Sequence, residues 1–253
     1  MYVWNRNKIK FNHAKIFPEN LRLLIVGSSG CGKTQLLFKM LLEKDFLDYN
    51  NLIIFSKTCF QDEYQLLKYG FQNELSKKSI TKIFKEQNDF DSDLSIQEIC
   101  EIYSERFPEK NNISITMTNK MNEIPDPNEL LSNKKNLIIF DDCVNETNQK
   151  NIENYFTRGR HNNISCIYLS QSWFELGRRS IRNNSNFIIL FELNNKDKNI
   201  IYDDIFSKSL EKSEFNKITN KQWRLPYQYI AYNLINKNLY TDIFTYKNDL
   251  EHL

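Results

Sequence analysis

Arg22-Leu23-Leu24-Ile25-Val26-Gly27-Ser28-Ser29-Gly30-Cys31-Gly32-Lys33-Thr34-Gln35 is the stretch whose reading decides the fold, and it holds three of the chain's six glycines. Gly27 to Thr34 matches the pattern G-x-x-x-x-G-K-[ST], which is short enough to arise by chance and therefore depends on its context. The context agrees. Arg22 to Val26 is a branched apolar run of strand length, and Leu36, Leu37, Met40 and Leu41 recur at helical spacing. Strand, glycine loop and helix in that order make a P-loop, whose backbone N–H groups turn inward to cradle phosphate oxygens at a helix N-terminus. Gly27, Ser28, Ser29, Gly30, Cys31, Gly32, Lys33, Thr34 and Gln35 are the expected nucleotide-binding set. Lys33 reaches the β- and γ-phosphates, and Thr34 places its hydroxyl on Mg²⁺. The competing reading is a glycine turn that merely joins strand to helix. Cys31 stands at a free position of the motif and is expected to have no chemistry of its own.

A chain of 253 residues with 40% hydrophobic and 26% charged residues has the composition of a soluble globular protein and the length to bury a real core. No apolar run approaches bilayer length, and Met1-Tyr2-Val3-Trp4-Asn5-Arg6 lacks the apolar core of a signal peptide, so a soluble intracellular protein without membrane insertion is expected. A net charge of +2 is too small for the whole surface to trap a polyanion, so any nucleic-acid contact must come from local clusters. Cys31, Cys59, Cys100, Cys143 and Cys166 are scattered, apart from His13, His161 and His252, which suggests neither a disulfide framework nor a structural zinc site. The matches to the glycosylation pattern at Asn112, Asn145 and Asn163 are what an Asn-rich chain produces by chance.

The chain reads as a single domain over residues 1–253. Residues 1–20 form a lead-in in which Lys8, Lys10 and Lys15 alternate with Ile9, Phe11 and Ile16, suggesting a short edge strand. Asn51 to Ser56 is a second buried strand. Residues 60–130 read as a variable helical insertion (Leu66, Leu67 and Phe71, then Ile96, Ile99 and Tyr103). Its acidic patch, Asp89, Asp91 and Asp93, lacks the glycine and terminal glutamate of a calcium loop and reads as solvated. Ile113 to Met117 alternates like a half-exposed strand, and Pro125 and Pro127 mark a loop. Leu137 to Phe140, Ile164 to Leu169 and Phe187 to Phe191 are continuous apolar runs with helix-compatible segments between them, which argues for an α/β fold with a largely parallel sheet covered on both faces. Residues 197–224 read as helical, and the segments flanking Asn236-Lys237-Asn238 read as a C-terminal hairpin.

The run Leu137-Ile138-Ile139-Phe140 ends in Asp141-Asp142. Ligands of open parallel sheets bind beyond the strands' C-terminal ends, so these acids should emerge beside the P-loop. Asp141 is the natural Mg²⁺ partner, and Asp142 would polarise the attacking water; a polar strand end or helix cap is the alternative. Gln171 follows the next strand and could bond both the γ-phosphate and the water. Arginines cluster at Arg158 and Arg160 and again at Arg178, Arg179 and Arg182. Arg160, with Arg158 second, is the candidate guanidinium for the γ-phosphate, a group often supplied by a neighbouring subunit. Arg178, Arg179 and Arg182 are candidates for DNA phosphates, or else solvated helix charges.

The run from Thr157-Arg158-Gly159-Arg160-His161 through Gln171, followed by Ser180-Ile181-Arg182-Asn183-Asn184-Ser185-Asn186, resembles the genome-packaging ATPases of large DNA viruses, virophages and Polinton-type elements. These belong to the FtsK-HerA superfamily, which includes the poxvirus packaging ATPase. The resemblance spans from the P-loop to about Leu193. It implies a RecA-like (ASCE) core in which another strand separates the P-loop strand from the acidic one. It also implies ATP hydrolysis with Mg²⁺, a homo-oligomeric ring, and translocation of double-stranded DNA into a preformed capsid. By position, Lys33 and Thr34 match the family's first motif, Asp141 and Asp142 the second, and Gln171 the third. Many members carry Glu where this chain has Asp142, a shorter arm for the water-activating role. Capsid or portal-like vertex proteins follow as partners, and the host cytoplasm, viral factory or virion as location. A P-loop kinase for nucleosides or small molecules is a rival enzyme reading, one that leaves the Gln171 strand unexplained. A nucleotide-gated DNA-binding scaffold without turnover is the rival from another class, and the intact acid pair stands against it.

Overall fold

The computed structural model describes residues 10–86, 94–107, 109–143, 146, 149–174, 176 and 179–245. Lys8, Ile9, Asp89, Asp91, Asp93, Asn145, Arg178 and His252 lie outside them. An eight-stranded sheet runs β3-β2-β4-β5-β1-β6-β7-β8. Its members are β1 (Arg22–Val26), β2 (Asn51–Ser56), β3 (Ser114–Thr118), β4 (Asn136–Asp141), β5 (Ile164–Ser170), β6 (Phe187–Phe191), β7 (Tyr229–Asn233) and β8 (Leu239–Tyr240). The first six are mutually parallel, and β7 and β8 close the sheet antiparallel. The fold is therefore α/β with a mostly parallel sheet and a C-terminal hairpin. The acidic strand β4 is separated from the P-loop strand β1 by β5.

The apolar runs are continuous because both faces of the sheet are covered. Leu23 and Ile25 point into one buried layer with Leu37 and Leu41, while Leu24 and Val26 point into the other with Phe140, Tyr168 and Trp173. Helix α1 (Lys33–Leu42) follows the glycine loop, α5 (Gln149–Arg158) joins β4 to β5, and α6 (Arg179–Asn184) joins β5 to β6. Residues 60–130 contribute α2 (Asp62–Gln72), α3 (Lys77–Glu86), α4 (Ile96–Arg106) and the half-exposed edge strand β3. Helix α4 begins on a reciprocal cap in which Ser95 Oγ accepts from Glu98 N and Ser95 N donates to the Glu98 carboxylate.

Two expectations are corrected. Residues 10–20 form no strand; Phe11, Ala14, Ile16 and Phe17 are all buried. The apparent alternation reflects a segment that plugs the end of the sheet, with Asn233 Nδ2 donating to Ile16 O at 3.0 Å and Ala14 N donating to Phe46 O at 2.9 Å. The helical stretch 197–224 is interrupted. Helix α7 (Asn195–Ile201) widens into a π turn over Tyr202–Phe206, where Ser207 N donates to Tyr202 O, and α8 (Lys212–Gln222) starts afresh. The break lets Phe206, Phe215 and Tyr232 pack ring on ring, with centroids 4.7 to 4.8 Å apart.

Candidate nucleotide site

The C-terminal ends of four strands are level. Val26 lies beside Ser170, Leu169 beside Asp141, and Asp141 beside Ser56. The residues just past each strand are therefore delivered to one edge: the glycine loop after β1, Gln171 after β5, Asp142 after β4 and Thr58 after β2. Together these residues line a cleft of about 670 Å³ with Lys33, Thr34, Gln35, Asp141 and Glu63. A P-loop, an acidic strand end and a polar residue between them converge here as the strand order requires.

The loop needs its glycines at specific places. A Cβ on Gly27 would lie 2.6 Å from Phe191 Cβ and 2.7 Å from Cys31 Sγ, so no side chain fits. Gly32 has φ 101°, a left-handed conformation that a side chain strains, and it caps α1. Gly27 N donates to Ser170 O at 3.1 Å, tying the loop to the Gln171 strand. The Lys33 ammonium donates to Gly27 O at 2.7 Å and Ser28 O at 2.8 Å, which holds its charge over the loop. Burial raises the Cys31 thiol above its usual range, in keeping with an inert side chain despite the Lys33 ammonium 3.9 Å away.

The two acids differ in environment. Asp141 is buried, and its Oδ2 accepts from Tyr64 Oη at 2.6 Å and from Ser56 Oγ at 3.4 Å. Burial raises its pKa, the neighbouring Asp142 adding to the rise and the Tyr64 bond and the Lys33 charge opposing it. Asp142 is exposed and stands at φ 53°, a left-handed conformation that Asp tolerates better than most residues. Among the described residues, no group of three or more His, Cys, Asp or Glu side chains could hold a metal. A P-loop Mg²⁺ does not need one, because phosphate and water supply most of its oxygens and one or two protein groups suffice. Thr34 and Asp141 line the same cleft, and a carboxylate whose charge is penalised by burial gains most from a nearby cation. The residues present therefore fit the ion.

A test of that fit comes from linkage. Because the Asp141 pKa is raised above 3.8, the folded protein holds the proton longer than the unfolded chain, and stability falls as pH rises from 3.8 through the folded value. At neutral pH the ionised carboxylate is a cost. Asp141→Asn is expected to keep or raise the thermal midpoint, by about 2–4 °C per kcal/mol relieved, while weakening Mg²⁺-dependent nucleotide binding. Thermal melts paired with titrations of nucleotide with and without Mg²⁺ check both halves. A destabilised variant with intact Mg²⁺ dependence would make Asp141 a structural group instead.

The arginines are placed elsewhere. Arg158 and Arg160 are exposed at the N-terminal end of β5, across the sheet from Gln171. Arg160 lies near enough to Arg22 to lower that guanidinium's pKa, after burial, the larger cause. Arg179 is exposed at the start of α6. Arg182 is engaged within the fold, its Nη1 3.2 Å from Asp204 Oδ2 and its guanidinium 5.7 Å from the Trp173 ring centroid. Trp173 Nε1 donates to the same Asp204 oxygen at 3.0 Å.

Reasoning from the sequence missed the β2 side of the cleft: Tyr64, Ser56, Thr58, Gln61 and Glu63. The strand-end rule applied to Asp141 would have found Ser56 and Thr58, since β2 is also a buried strand ending at this edge, but not Gln61, Glu63 and Tyr64, which come from the start of α2. It also missed Arg224 and Tyr227, which border the glycine loop from the segment between α8 and β7. Nothing local in the sequence marks these two.

Fold and cleft define a P-loop NTPase fold with the RecA-like strand arrangement. Among solved structures, the chain is similar to the genome packaging NTPase B204 from Sulfolobus turreted icosahedral virus 2. Its complex with sulfate gives a TM-score of 0.52 at 12% identity, over 87% of this chain and 95% of that one. Its complex with AMP gives 0.51 at 11%, over 87% and 96%. The DNA-packaging ATPase B204 from Sulfolobus Turreted Icosahedral Virus gives 0.50 at 14%, over 87% and 97%. No family model matches the chain, and no curated protein matches it. At these identities the likeness is one of fold. Among the described residues, no helix is long and apolar enough to cross a membrane.

Proposed function

We propose that this protein is a Mg²⁺-dependent ATPase of the FtsK-HerA type that works as a ring and drives double-stranded DNA into a preformed capsid. The observation that carries the reading is the strand order β4-β5-β1, which supports acid pair, Gln171 and P-loop acting on one triphosphate. The genome-packaging function of the structurally similar B204 proteins points the same way. In this reading the chain is a single P-loop ATPase domain with residues 60–130 as an insertion. Lys33 and the loop N–H groups bind the β- and γ-phosphates, and Asp142 takes up the proton of the attacking water. Gln171 orients that water against the γ-phosphate. Mg²⁺, held by Thr34 and Asp141, would neutralise charge building on the phosphate oxygens. Arg160 reaches the γ-phosphate of a neighbouring subunit. The capsid vertex is the partner surface, and the host cytoplasm, viral factory or virion the setting.

A motor that tracks along DNA grips phosphates, which carry no sequence information, so affinity should hardly vary among duplexes of equal length. It should fall with salt by about 0.9 log units per log unit of salt for each phosphate contact. A net charge of +2 makes few contacts per subunit expected, so single subunits should bind weakly and assembly should multiply the grip. Replacing Arg178 and Arg179 together should reduce stimulation of the ATPase by duplex DNA and leave basal turnover near normal. Replacing Arg182, which is tied to Asp204 and Trp173, should lower thermal stability as well. ATPase rates with and without duplex DNA, over a salt series, test the proposal. No binding at low salt and no stimulation, with turnover on a nucleoside acceptor instead, would replace the motor by a kinase.

A further inference from the structure

Tyr227 holds an uncommon position. The turn Leu225-Pro226-Tyr227-Gln228 has proline in its second place and φ 64° at Tyr227 in its third, the place such a turn ordinarily gives to glycine. A non-glycine residue there carries backbone strain. The ring is not sheltered in return, since Tyr227 is 62% exposed. It stands over the phosphate loop: a Cβ on Gly32 would lie 3.1 Å from Tyr227 Cδ1. The segment between α8 and β7 therefore places an exposed aromatic face against the loop, at a cost in backbone strain.

The sheet sets the direction of a bound nucleotide. Asp141, Asp142 and Gln171 lie on the β4 and β5 side of β1, which fixes the γ-phosphate end. In the P-loop reading, the other end of a bound nucleotide would extend toward the β6 and β7 side, where Tyr227 stands. A second groove of about 300 Å³ opens there and shares Gly32, Gln35 and Tyr227 with the phosphate cleft. Its lining mixes apolar side chains (Leu36, Phe191 and Tyr229) with polar ones, and the Lys39 ammonium lies over the Phe244 ring, 3.9 Å from its centroid. Its volume is at the low end of the roughly 300–1,000 Å³ usual for ligand pockets, and apolar surface interspersed with polar groups suits a flat heteroaromatic ring with polar edges. A neighbouring groove on the other side of Tyr227 is lined by the loop residues Ser28 to Cys31 and by Arg224. It lacks the first turn of α1, which Gln35 and Leu36 contribute to the groove proposed here.

We infer that this groove is the nucleobase subsite and that the Tyr227 ring is its stacking platform, an inference that rests on the P-loop reading of the adjoining cleft. Every base offers a π face, so stacking of this kind is tolerant of base identity, and adenine and guanine nucleotides should both use it.

The experiment compares three probes on the full chain in Mg²⁺, ATP, GTP and inorganic tripolyphosphate, each titrated calorimetrically. Tyr227→Gly is the main variant, because glycine is the residue the turn prefers and folding is not at risk. It is expected to weaken ATP and GTP by roughly 5- to 100-fold and to leave tripolyphosphate unchanged, while Tyr227→Phe keeps the affinity for all three. Equal weakening of ATP and tripolyphosphate would mean that the turn merely shapes the glycine loop, and unchanged ATP affinity would mean that the ring is idle; either result overturns the inference. Lys33→Ala separates the two layers. If it leaves tripolyphosphate binding intact, the P-loop reading fails, whereas the ratio of ATP to tripolyphosphate affinity in Tyr227→Gly reports on the base subsite alone.

Discussion

Lys33→Ala is expected to lower ATP turnover by about 10²- to 10³-fold, the usual cost of removing one preorganised group that meets charge developing in the transition state. The side chain is well placed for the role because its ammonium is held over Gly27 O and Ser28 O at the mouth of the loop. On nucleotide binding those carbonyl bonds are expected to exchange for phosphate oxygens. The companion variant is Asp142→Asn. Asp142 sits in a left-handed backbone conformation that asparagine also tolerates, and its side chain is exposed, so the substitution removes charge without disturbing the strand end. Turnover should fall by about 10²- to 10⁴-fold, the range for losing a positioned general base, with nucleotide affinity retained. Steady-state rates and equilibrium binding on both purified variants, with melting curves to confirm folding, give the answer. Normal turnover in both would end the ATPase assignment.

Arg160→Ala is expected to have the larger effect, about 10³- to 10⁵-fold, if its guanidinium completes a neighbour's site. Gln171, at the cleft, and Arg160, before β5, are separated by a strand of seven residues, or about 20 Å at the usual rise. Arg160 cannot reach its own chain's cleft. Among the described residues, the lining of that cleft contains no arginine. Specific activity should therefore rise with protein concentration. Mixtures of Arg160→Ala and Lys33→Ala subunits should recover activity that neither has alone, because each supplies what the other lacks. A purely structural role for Arg160 would show no such recovery. If every mixture fails while oligomers form, the site is complete within one chain, and Arg224, beside Ser29 and Gly30, becomes the residue to replace.

Much of the architecture was legible in linear order because a doubly covered parallel sheet has a simple signature. Each central strand is buried on both faces, so Arg22–Val26, Asn51–Ser56, Asn136–Asp141, Ile164–Ser170 and Phe187–Phe191 read as unbroken apolar runs, and the strands formed where those runs stand. The P-loop could be read because its chemistry depends on backbone shape, and backbone shape is written in glycine. Asp141 and Gln171 could be placed because the end of a buried strand is also the edge of the sheet. Where burial was one-sided or irregular, the signal weakened. The alternation around Phe11 and Ile16 looked like an edge strand, yet these side chains are buried by a segment held through Asn233 and Phe46, partners far off in sequence. A contact with so distant a partner leaves no local period to detect.

The sequence by itself determined the strand-loop-helix unit, the glycine-loop residues that line the cleft, and the acids at the end of β4, because each depends on neighbours within a few positions. Tertiary structure alone decided the environment of those residues. Tyr64, on the helix after β2, meets Asp141 because β2 pairs with β4 in register, and that bond together with burial sets the state of the carboxylate. Tyr227 reaches Gly32 because β7 returns antiparallel beside β6 and brings the preceding turn back over the loop. Arg182, read from the sequence as a candidate for DNA, faces Asp204 and Trp173 because α6 packs beside the π turn. The partners Asp141, Gly32 and Asp204 lie between 22 and 195 positions away, and a side chain's partner at that range is chosen by how the strands are ordered and paired, a choice that no local pattern of residues encodes.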